Sequence, residues 1–162
     1  MTRPASTLTL TMQGDREMVA TRVIDAPRDL VFRAYTDPEA IPHWWGPARY
    51  TTTVVEMDVR PGGKWRHVQH DAEGNEFGFG GEYREVVPPE RLVSTFEWDG
   101  APGHVSVDTL TLEERDGKTF LTSHTLFATP EERDEMTSTD MEAGMAESWD
   151  RLEAYVTRGG QE

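Results

Sequence analysis

Six strand-like runs lie between Thr51 and Phe127, and a short segment of turn-forming residues follows each of the first five. These segments are RPGG (Arg60–Gly63), DAEGN (Asp71–Asn75), PPER (Pro88–Arg91), DGAPG (Asp99–Gly103) and DG (Asp116–Gly117). Glycine, proline, asparagine and aspartate at such spacings are typical of turns that join antiparallel strands. The stretch therefore predicts a six-stranded antiparallel meander, which limits the fold more than any other feature of the chain.

Before the meander, the sequence predicts one more strand and two short helices. Glu17–Pro27 is rich in β-branched residues and predicts the strand. Asp25 is expected to cap a first helix over PRDLVFRAY, in which apolar side chains recur four positions apart. Asp37 and Pro38 predict the start of a second helix, because they supply a capping carboxylate and a first-turn proline.

After the meander, the sequence predicts a short acidic helix and a long amphipathic one. Thr129 and Glu132 form a capping box for the short helix. The long helix is predicted to begin at Thr139, and its apolar side chains recur every three or four residues. They are Met141, Met145, Trp149, Leu152 and Val156. This stripe gives the helix one face to bury against the sheet.

The lengths of helix and strands suit one another. About 19 helical residues at ~1.5 Å each span roughly 28 Å, and about eight strand residues at ~3.3 Å each span about 26 Å. The order of elements therefore predicts an α+β fold in which a curved antiparallel sheet wraps around the long C-terminal helix. With 162 residues and no linker-like stretch, we expect one domain over residues 17–158, preceded by a strand-like extension over residues 1–16.

The turns also predict which strand residues pair. A three-residue loop at Pro61–Gly63 pairs Met57 with His67, whereas a two-residue loop would mix apolar and charged side chains on one face. Across PPER, the same reasoning pairs Val87 with Leu92. Side chains alternate along each strand, so these pairs predict which residues face the last helix.

This register collects large apolar side chains on one face of the sheet, opposite the methionines and tryptophan of the last helix. The predicted inward residues are Met57, Val59, Trp65, Phe77, Phe79, Tyr83, Leu92, Phe96, Trp98, Leu110, Leu112 and Leu121. Aromatic rings and flexible methionines that meet across a curved sheet fill space imperfectly, and Gly81 leaves a gap in one strand. We therefore expect a cavity between the sheet and the last helix.

The same register turns several polar side chains inward. They are His67, Gln69, Tyr83, Glu85 and Ser94. Buried polar groups need hydrogen-bond partners, so these side chains either satisfy one another or water, or they contact a ligand. Among them, Glu85, Tyr83 and His67 are the candidates for acid–base chemistry, although the sequence assigns no catalytic role.

Composition argues against several other functions. The formal net charge of −14 repels nucleic-acid backbones and anionic lipid, and no apolar run is long enough to insert into a membrane. The chain has no cysteine, which excludes disulfides, thiolate metal sites and a cysteine nucleophile. His67 and His70 are three residues apart on a strand and point to opposite faces, so we expect no metal site.

The sequence lacks the motifs of secreted proteins and of nucleotide-binding proteins, and this guides our predictions of localisation and cofactor use. The first residues, MTRPASTLTLTMQG, alternate threonine with apolar side chains and contain no signal-peptide core. No phosphate-binding glycine motif is present, so we expect no nucleotide or other cofactor. Together with the lack of cysteine, these features predict a cytoplasmic protein.

Four segments carry a family resemblance: TRVIDAPRDLVFRAYTDPEAIPHWWGP, DVRPGGKWR, GEYREVVPPERLV and GMAESWDRLEAYV. In this order, over roughly Glu17 to Val156, the chain resembles the SRPBCC superfamily with the helix-grip fold. Within that superfamily it is similar to the group of the activator of heat-shock protein 90 ATPase. The resemblance implies a deep apolar cavity between sheet and C-terminal helix, which different members use for lipids, sterols, polyketides or hydrophobic hormones.

In that fold, Trp44 and Trp45 are expected to plug one end of the cavity, with one ring directed inward and the other at the rim. The expected ligand-binding residues are Trp44, Trp45, Met57, Trp65, His67, Phe77, Phe79, Tyr83, Phe96, Trp98, Leu110, Met141, Met145 and Trp149.

Three functions remain as alternatives. The first is the binding of a small hydrophobic molecule without chemistry. The second is an enzyme of the cyclase or dehydratase kind that uses Glu85, Tyr83 or His67 as acid and base. The third is a protein-interaction module similar to the chaperone activators, which would use an outer face of the domain. A homodimer is compatible with each of them.

Overall fold

The structure, a computed structural model, describes residues 8–137 and 141–158. Within these residues the chain forms eight strands and four helices. The strands are β1 (Thr9–Gln13), β2 (Glu17–Ile24), β3 (Thr51–Met57), β4 (Lys64–His70), β5 (Glu76–Val87), β6 (Arg91–Trp98), β7 (Ser106–Arg115) and β8 (Lys118–Leu126). The helices are α1 (Arg28–Thr36), α2 (Ile41–Trp44), α3 (Pro130–Thr137) and α4 (Met141–Thr157).

The eight strands form one sheet in the order β1-β2-β8-β7-β6-β5-β4-β3, and every neighbouring pair is antiparallel. The meander from β3 to β8 is as predicted, and β2 closes it by pairing with β8. β1, which lies within the extension expected before the domain, adds an edge strand to β2. α4 packs on the inner face of the sheet, which confirms the α+β helix-grip architecture.

The packed core lies between the sheet and the C-terminal half of α4. Leu152 of α4 is completely buried, and Trp149 from the same face is 4% exposed. Both belong to one apolar cluster with Leu112 and Leu121, which pair across the Asp116–Gly117 turn as predicted. Full burial of a side chain of this size contributes about 1.5–3 kcal/mol, so this end of the domain provides much of its stability.

A buried ion pair also fixes α4 to the sheet. Arg22 takes an inward position on β2, where its guanidinium donates hydrogen bonds to Glu153 Oε1 at 2.8 Å and to Asp150 Oδ1 at 2.6 Å. The second carboxylate oxygen of Glu153 accepts a hydrogen bond from the backbone N–H of Asp25 at 2.9 Å. The Arg22 and Glu153 side chains are both nearly buried. Loss of either would leave the other charge poorly compensated in the interior.

The β3–β4 hairpin has the predicted faces but a different register. Met57 pairs with Trp65 instead of His67, because the connecting loop extends over residues 58–63. The predicted pairing is therefore wrong by two residues. A shift of two leaves each side chain on its predicted face, so Trp65 and His67 still point inward.

The β5–β6 hairpin differs from the prediction in a way that changes a face. Leu92 pairs with Val86 instead of Val87, and the register shifts between Tyr83 and Glu85. This irregularity turns Glu85 to the outer face, where it is exposed and ion-paired with an arginine of the same hairpin. The inward orientation predicted for Glu85 is therefore wrong. The turn residues predicted the hairpin correctly but gave no sign of the bulge.

The starts of α1 and α2 also differ from the predicted ones. α1 follows Pro27, and the carboxylate that accepts a hydrogen bond from its first N–H, that of Arg28, belongs to Glu114 at 3.0 Å, so the capping role predicted for Asp25 is wrong. The Asp37 carboxylate does accept a backbone hydrogen bond, from Glu39 at 2.9 Å, but it closes the turn that precedes α2. α2 itself begins only at Ile41.

α3 begins as predicted, because the hydroxyl of Thr129 accepts a hydrogen bond from the backbone N–H of Glu132 at 3.1 Å. The Glu132 carboxylate does not complete the capping box and instead pairs with His104 at 2.8 Å. Thr139, the predicted start of the long helix, lies outside the described residues. α4 is described from Met141 onward.

Candidate functional site

A cavity of about 290 Å³ lies between the inner face of the sheet and the N-terminal half of α4. Its wall includes residues from β2, from β4 to β8, from α1 to α4 and from the segments next to them. These residues are Met18, Tyr35, Ile41, Trp45, Trp65, His67, Tyr83, Leu92, Ser94, Phe96, Ser106, Asp108, Leu110, Ser123, Thr125, Phe127, Met136, Met141 and Met145. The three methionines from α3 and α4 form what we call the methionine roof (Met136, Met141 and Met145).

One side of the cavity is an aromatic wall, formed by Trp45, Trp65, His67 and Phe96. The His67 ring lies 4.9 Å from the Trp45 ring and 4.8 Å from the Trp65 ring, measured between centroids. Trp65 and Phe96 are 6.0 Å apart. These spacings and the tilted or edge-on orientations are favourable for aromatic pairs, so the contacts between the rings stabilise the wall.

Gly81 determines how the Trp65 ring is held. Trp65 is on β4, yet its indole N–H donates a hydrogen bond to the carbonyl of Thr95 on β6, at 3.1 Å. The indole reaches over β5 at Gly81, where an added Cβ would lie 1.9 Å from the Thr95 carbonyl oxygen and 2.7 Å from the indole nitrogen. The gap expected at Gly81 therefore exists in the strand, but the Trp65 ring occupies it.

The sheet also contributes to the cavity a polar row that crosses four strands. Tyr83 pairs with Ser94, Ser94 with Asp108, and Asp108 with Thr125. Directly paired residues share a face, so all four side chains point inward. The Thr125 hydroxyl donates a hydrogen bond to Asp108 Oδ1 at 2.8 Å. We refer to Tyr83, Ser94, Asp108 and Thr125 as the polar row.

Asp108 is the acidic member of the cavity wall. Burial raises the pKa of its carboxyl from 3.8 to about 6, although the hydrogen bond from Thr125 and the nearby His124 act in the opposite direction. Burial also raises the pKa of the Tyr35 and Tyr83 hydroxyls, so both stay protonated and can donate hydrogen bonds. The Tyr35 hydroxyl in turn accepts a hydrogen bond from the Trp149 indole at 3.0 Å.

His67 brings a second ionisable group to the wall. It is 3% exposed, and burial lowers its pKa from 6.5 to about 4, so its ring is neutral at physiological pH. The backbone of Arg66 offsets part of this change, but His67 Nδ1 makes no hydrogen bond of normal geometry with any group in the described part of the chain. Buried polar atoms without a partner are uncommon, and the ring that carries this one lines the cavity.

The two adjacent tryptophans have different positions. Trp44 is 2% exposed, packs 4.6 Å from the Tyr35 ring and donates its indole N–H to the Ala34 carbonyl, so it belongs to the core. Trp45 is the one that lines the cavity. Ser148 of α4 anchors this segment, because its hydroxyl donates to the Trp44 carbonyl at 2.9 Å and accepts from the Gly46 N–H at 3.0 Å.

The structure brings eight of the sequence-predicted ligand-binding residues to the cavity wall. They are Trp45, Trp65, His67, Tyr83, Phe96, Leu110, Met141 and Met145. Two others, Trp44 and Trp149, are buried beside the cavity without lining it. Phe79 packs 5.4 Å from Trp45, outside the wall, and Met57 packs against the core cluster.

Phe77 and Trp98 lie away from the cavity. Both border a second depression, next to Arg66 and Asp99. Trp98 is 41% exposed, so it does not form part of a buried wall. It pairs with Phe79, which keeps it on the predicted face of the sheet, but it lies at the end of β6, where the cavity does not reach it.

Sequence reasoning missed the centre of the polar row. Asp108 lies two residues before Leu110, and Thr125 lies four residues after Leu121, so the alternation that placed both leucines inward also applied to Asp108 and Thr125. They were passed over because an apolar face is recognised by its apolar members. Ser106 and Ser123 were missed in the same way, whereas Met18, Tyr35 and Phe127 lie outside the set of strands from which the wall was predicted or at its ends.

A comparison with protein families identifies the fold group. Residues 25–157 match the family described as "Activator of Hsp90 ATPase homolog 1-like protein", or AHSA1. The chain belongs to this family. The match covers α1 to α4 and most of the sheet, and it agrees with the SRPBCC resemblance of the sequence. No match to a curated protein reaches significance.

Solved structures from several bacteria share the fold of this AHSA1 domain. A crystal structure from Rhodobacter sphaeroides is 25% identical, with a TM-score of 0.88 over 94% of this chain and 99% of that chain. One from Chromobacterium violaceum is 27% identical, with a TM-score of 0.75 over 92% and 100%. The AHSA1 protein of Silicibacter pomeroyi, at 22% identity and a TM-score of 0.73 over 88% and 99%, shows the shared fold alone.

Two further observations restrict what this AHSA1 domain contains. Among the described helices, none combines the length and the apolar character needed to cross a membrane. Within residues 8–137 and 141–158, no three histidine, aspartate or glutamate side chains converge to hold a metal ion.

Proposed function

We propose that this AHSA1 domain binds a small, largely apolar molecule in the cavity under α4. The observation that carries the proposal is the cavity itself, which is bordered by an aromatic wall on one side and a flexible methionine roof on another. Ordinary protein interiors are close-packed, with few voids larger than a water molecule. A void of about 290 Å³ with these walls matches the usual composition of ligand pockets.

The volume restricts the size of the ligand. Ligand pockets usually have volumes of about 300–1,000 Å³, and this cavity lies at the lower end of that range, so it suits a compact molecule of one or two rings better than a long-chain lipid. The methionine side chains of the roof are unbranched and adapt to different shapes. Because α3 buries none of its residues, the roof to which it contributes is the natural place of ligand entry.

Binding of a neutral, environment-sensitive dye such as Nile red tests the proposal. The dye should bind with one-to-one stoichiometry and gain fluorescence. Met145→Trp should lower its affinity at least about tenfold, because a larger ring from the methionine roof occupies the cavity. Ala143→Trp, an exposed position on the same helix, is the matched control and should leave binding unchanged. Equal loss in both variants, or no binding to the wild type, would contradict the proposal.

The alternative of a cyclase or dehydratase loses one of its three candidate groups. Glu85 is on the outer face, paired with Arg91 at 2.9 Å, and cannot reach a ligand in the cavity. Tyr83 and His67 do line the wall. Catalysis by these residues stays a prediction, as does interaction with a chaperone.

A further inference from the structure

We propose that the polar row binds the hydrogen-bond-donating end of the ligand, a hydroxyl or an amino group, and that Asp108 is the acceptor. This inference rests on the proposed function and deepens it. It assigns a chemical class to the ligand: a compact ring compound that carries a donor group and no acid. The argument has three parts, which concern the geometry of the polar row, the charge of the cavity and the shape of the aromatic wall.

The geometry of the polar row concentrates acceptors at one place on the wall. Three neighbouring strands bring Ser94, Asp108 and Thr125 side by side. Thr125 satisfies one oxygen of Asp108, at 2.8 Å, and within the described residues no other side chain donates a hydrogen bond to this carboxyl. The hydroxyls of Ser94 and Ser123, also on the wall, have no protein partner in the same part of the chain.

The charge of the cavity excludes an acidic ligand. Among the described residues, neither lysine nor arginine lines the wall. His67 is neutral, because burial lowers its pKa to about 4. Asp108 is therefore the charged group that a ligand meets at neutral pH. A carboxylate or phosphate would face this like charge without a cation, whereas a donor would compensate a carboxylate that has lost much of its water.

The aromatic wall favours a planar ligand body. Trp45, Trp65 and His67 have ring centroids 4.8 to 6.3 Å apart and meet at angles that present both ring faces and ring edges to the cavity. A flat ring can stack on one of them and meet the edge of another, which contributes beyond simple burial. His67 adds a neutral imidazole ring to this side of the cavity.

A matched series of naphthalenes tests the inference, because its members share the ring and differ in one substituent. The series consists of 2-naphthol, naphthalen-2-ylmethylamine, 2-methoxynaphthalene and 2-naphthoate. We expect the alcohol and the amine to bind at least about tenfold more tightly than the methyl ether, which cannot donate, since an unmatched polar group in the pocket is costly. Naphthoate should bind most weakly. Isothermal titration calorimetry at pH 7.5 measures all four dissociation constants.

Asp108→Asn then assigns the preference to one residue. The variant keeps the shape of the side chain and removes its charge, so the amine should lose at least about tenfold in affinity and naphthoate should gain. Asp116→Asn is the matched control, because it removes the same charge from the exposed β7–β8 turn, where asparagine also accepts the positive φ of 55°. It should leave all four constants unchanged. Met145→Trp should weaken every ligand of the series.

The outcomes separate this inference from the proposed function. If the methyl ether or naphthoate binds the wild type as tightly as the alcohol and the amine, the Asp108 anchor is overturned while binding in the cavity stands. The same holds if Asp108→Asn and Asp116→Asn behave alike. If none of the four compounds binds, the inference is overturned, and Nile red then decides the proposed function separately. The wild-type series requires no variant, so a folding defect of Asp108→Asn would not obscure the result.

Discussion

At the scale of single residues, His67 and Asp108 face the same cavity, and burial acts on their pKa values in opposite directions. It lowers the pKa of His67 from 6.5 to about 4 and raises the pKa of Asp108 from 3.8 to about 6. Between about pH 4 and pH 6, the folded protein therefore binds fewer protons than the unfolded chain at His67 and more at Asp108. Each residue makes stability depend on pH, and the two dependences oppose each other.

Replacing either His67 or Asp108 should reveal how the remaining residue makes stability depend on pH. His67 makes stability rise from about pH 4 to 6.5, whereas Asp108 makes it fall from about pH 4 to 6. As the pH rises from about 4.5 to about 7, the free energy of unfolding of Asp108→Asn should increase relative to that of the wild type by on the order of 2 kcal/mol. For His67→Gln, the same difference should decrease by a similar amount. Urea unfolding at both pH values measures the free energies.

Other titrating groups are common to all three proteins and cancel in these differences. Asp116→Asn again provides a control, because an exposed turn carboxylate should show no such pH-dependent difference. Free energies of unfolding that run parallel to the wild type in both cavity variants would show that neither side chain is desolvated in the folded state.

At the scale of elements, the hairpins connect the aromatic wall to the sheet. The indole of Trp65 crosses β5 and bonds to β6, so one side chain ties together three consecutive strands. This is possible only because Gly81 has no side chain. The bulge in β5 next to Tyr83 changes the face of Glu85 but keeps Tyr83 in the polar row. A glycine and a bulge thus position the two sides of the site.

Gly81→Ala should lower the free energy of unfolding by about 2–3 kcal/mol, because the methyl group would meet the Thr95 backbone and push the Trp65 ring away. Thermal or urea unfolding measures the loss, and a red shift of tryptophan emission should accompany it as the indole becomes hydrated. Gly80→Ala is the neighbouring control: its Cβ would approach the Trp65 carbonyl only to 3.1 Å. Equal effects of both variants would contradict this role of Gly81.

At the scale of the whole molecule, α4 has two halves with different tasks. The side chains that it buries all belong to its second half, from Ser148 to Val156. Its first half contributes Met141 and Met145 to the methionine roof, and α3, which continues that roof, buries none of its residues. The domain therefore has a close-packed core at one end and a cavity at the other.

Hydrogen exchange should reflect this division. Amides of α3 and of the first two turns of α4 should exchange through local opening, with a lower free energy than the global value, whereas amides from Trp149 to Val156 should exchange only on global unfolding. Saturating Nile red should slow exchange at α3 and the start of α4 more than elsewhere, since a ligand stabilises the closed roof. Mass spectrometry of peptides from the two halves measures the rates. Uniform protection along α4 would contradict a separately opening roof.

Turn chemistry, strand alternation and the stripe of α4 sufficed to determine the order of the elements, the meander and most of the apolar wall. These features depend on residues that are close to one another in the sequence, so they can be predicted from the sequence alone. The Asp116–Gly117 turn shows this best, because two residues with positive φ determine the whole β7–β8 register. Although the register predicted for the β3–β4 pair at Met57 was wrong, the error was two residues, so the side chains still lie on their predicted faces.

Only the tertiary structure decided the centre of the site. The bulge that turns Glu85 outward, the division of labour between Trp44 and Trp45, and the burial that makes Asp108 an anchor all depend on parts of the chain that are distant in sequence. An aspartate that pairs with a threonine across two strands is unremarkable until the cavity forms around it and shields its carboxyl from much of the water. The sequence specifies which groups exist, and the packing of the helix on the sheet specifies which of them lose solvent and so acquire chemistry.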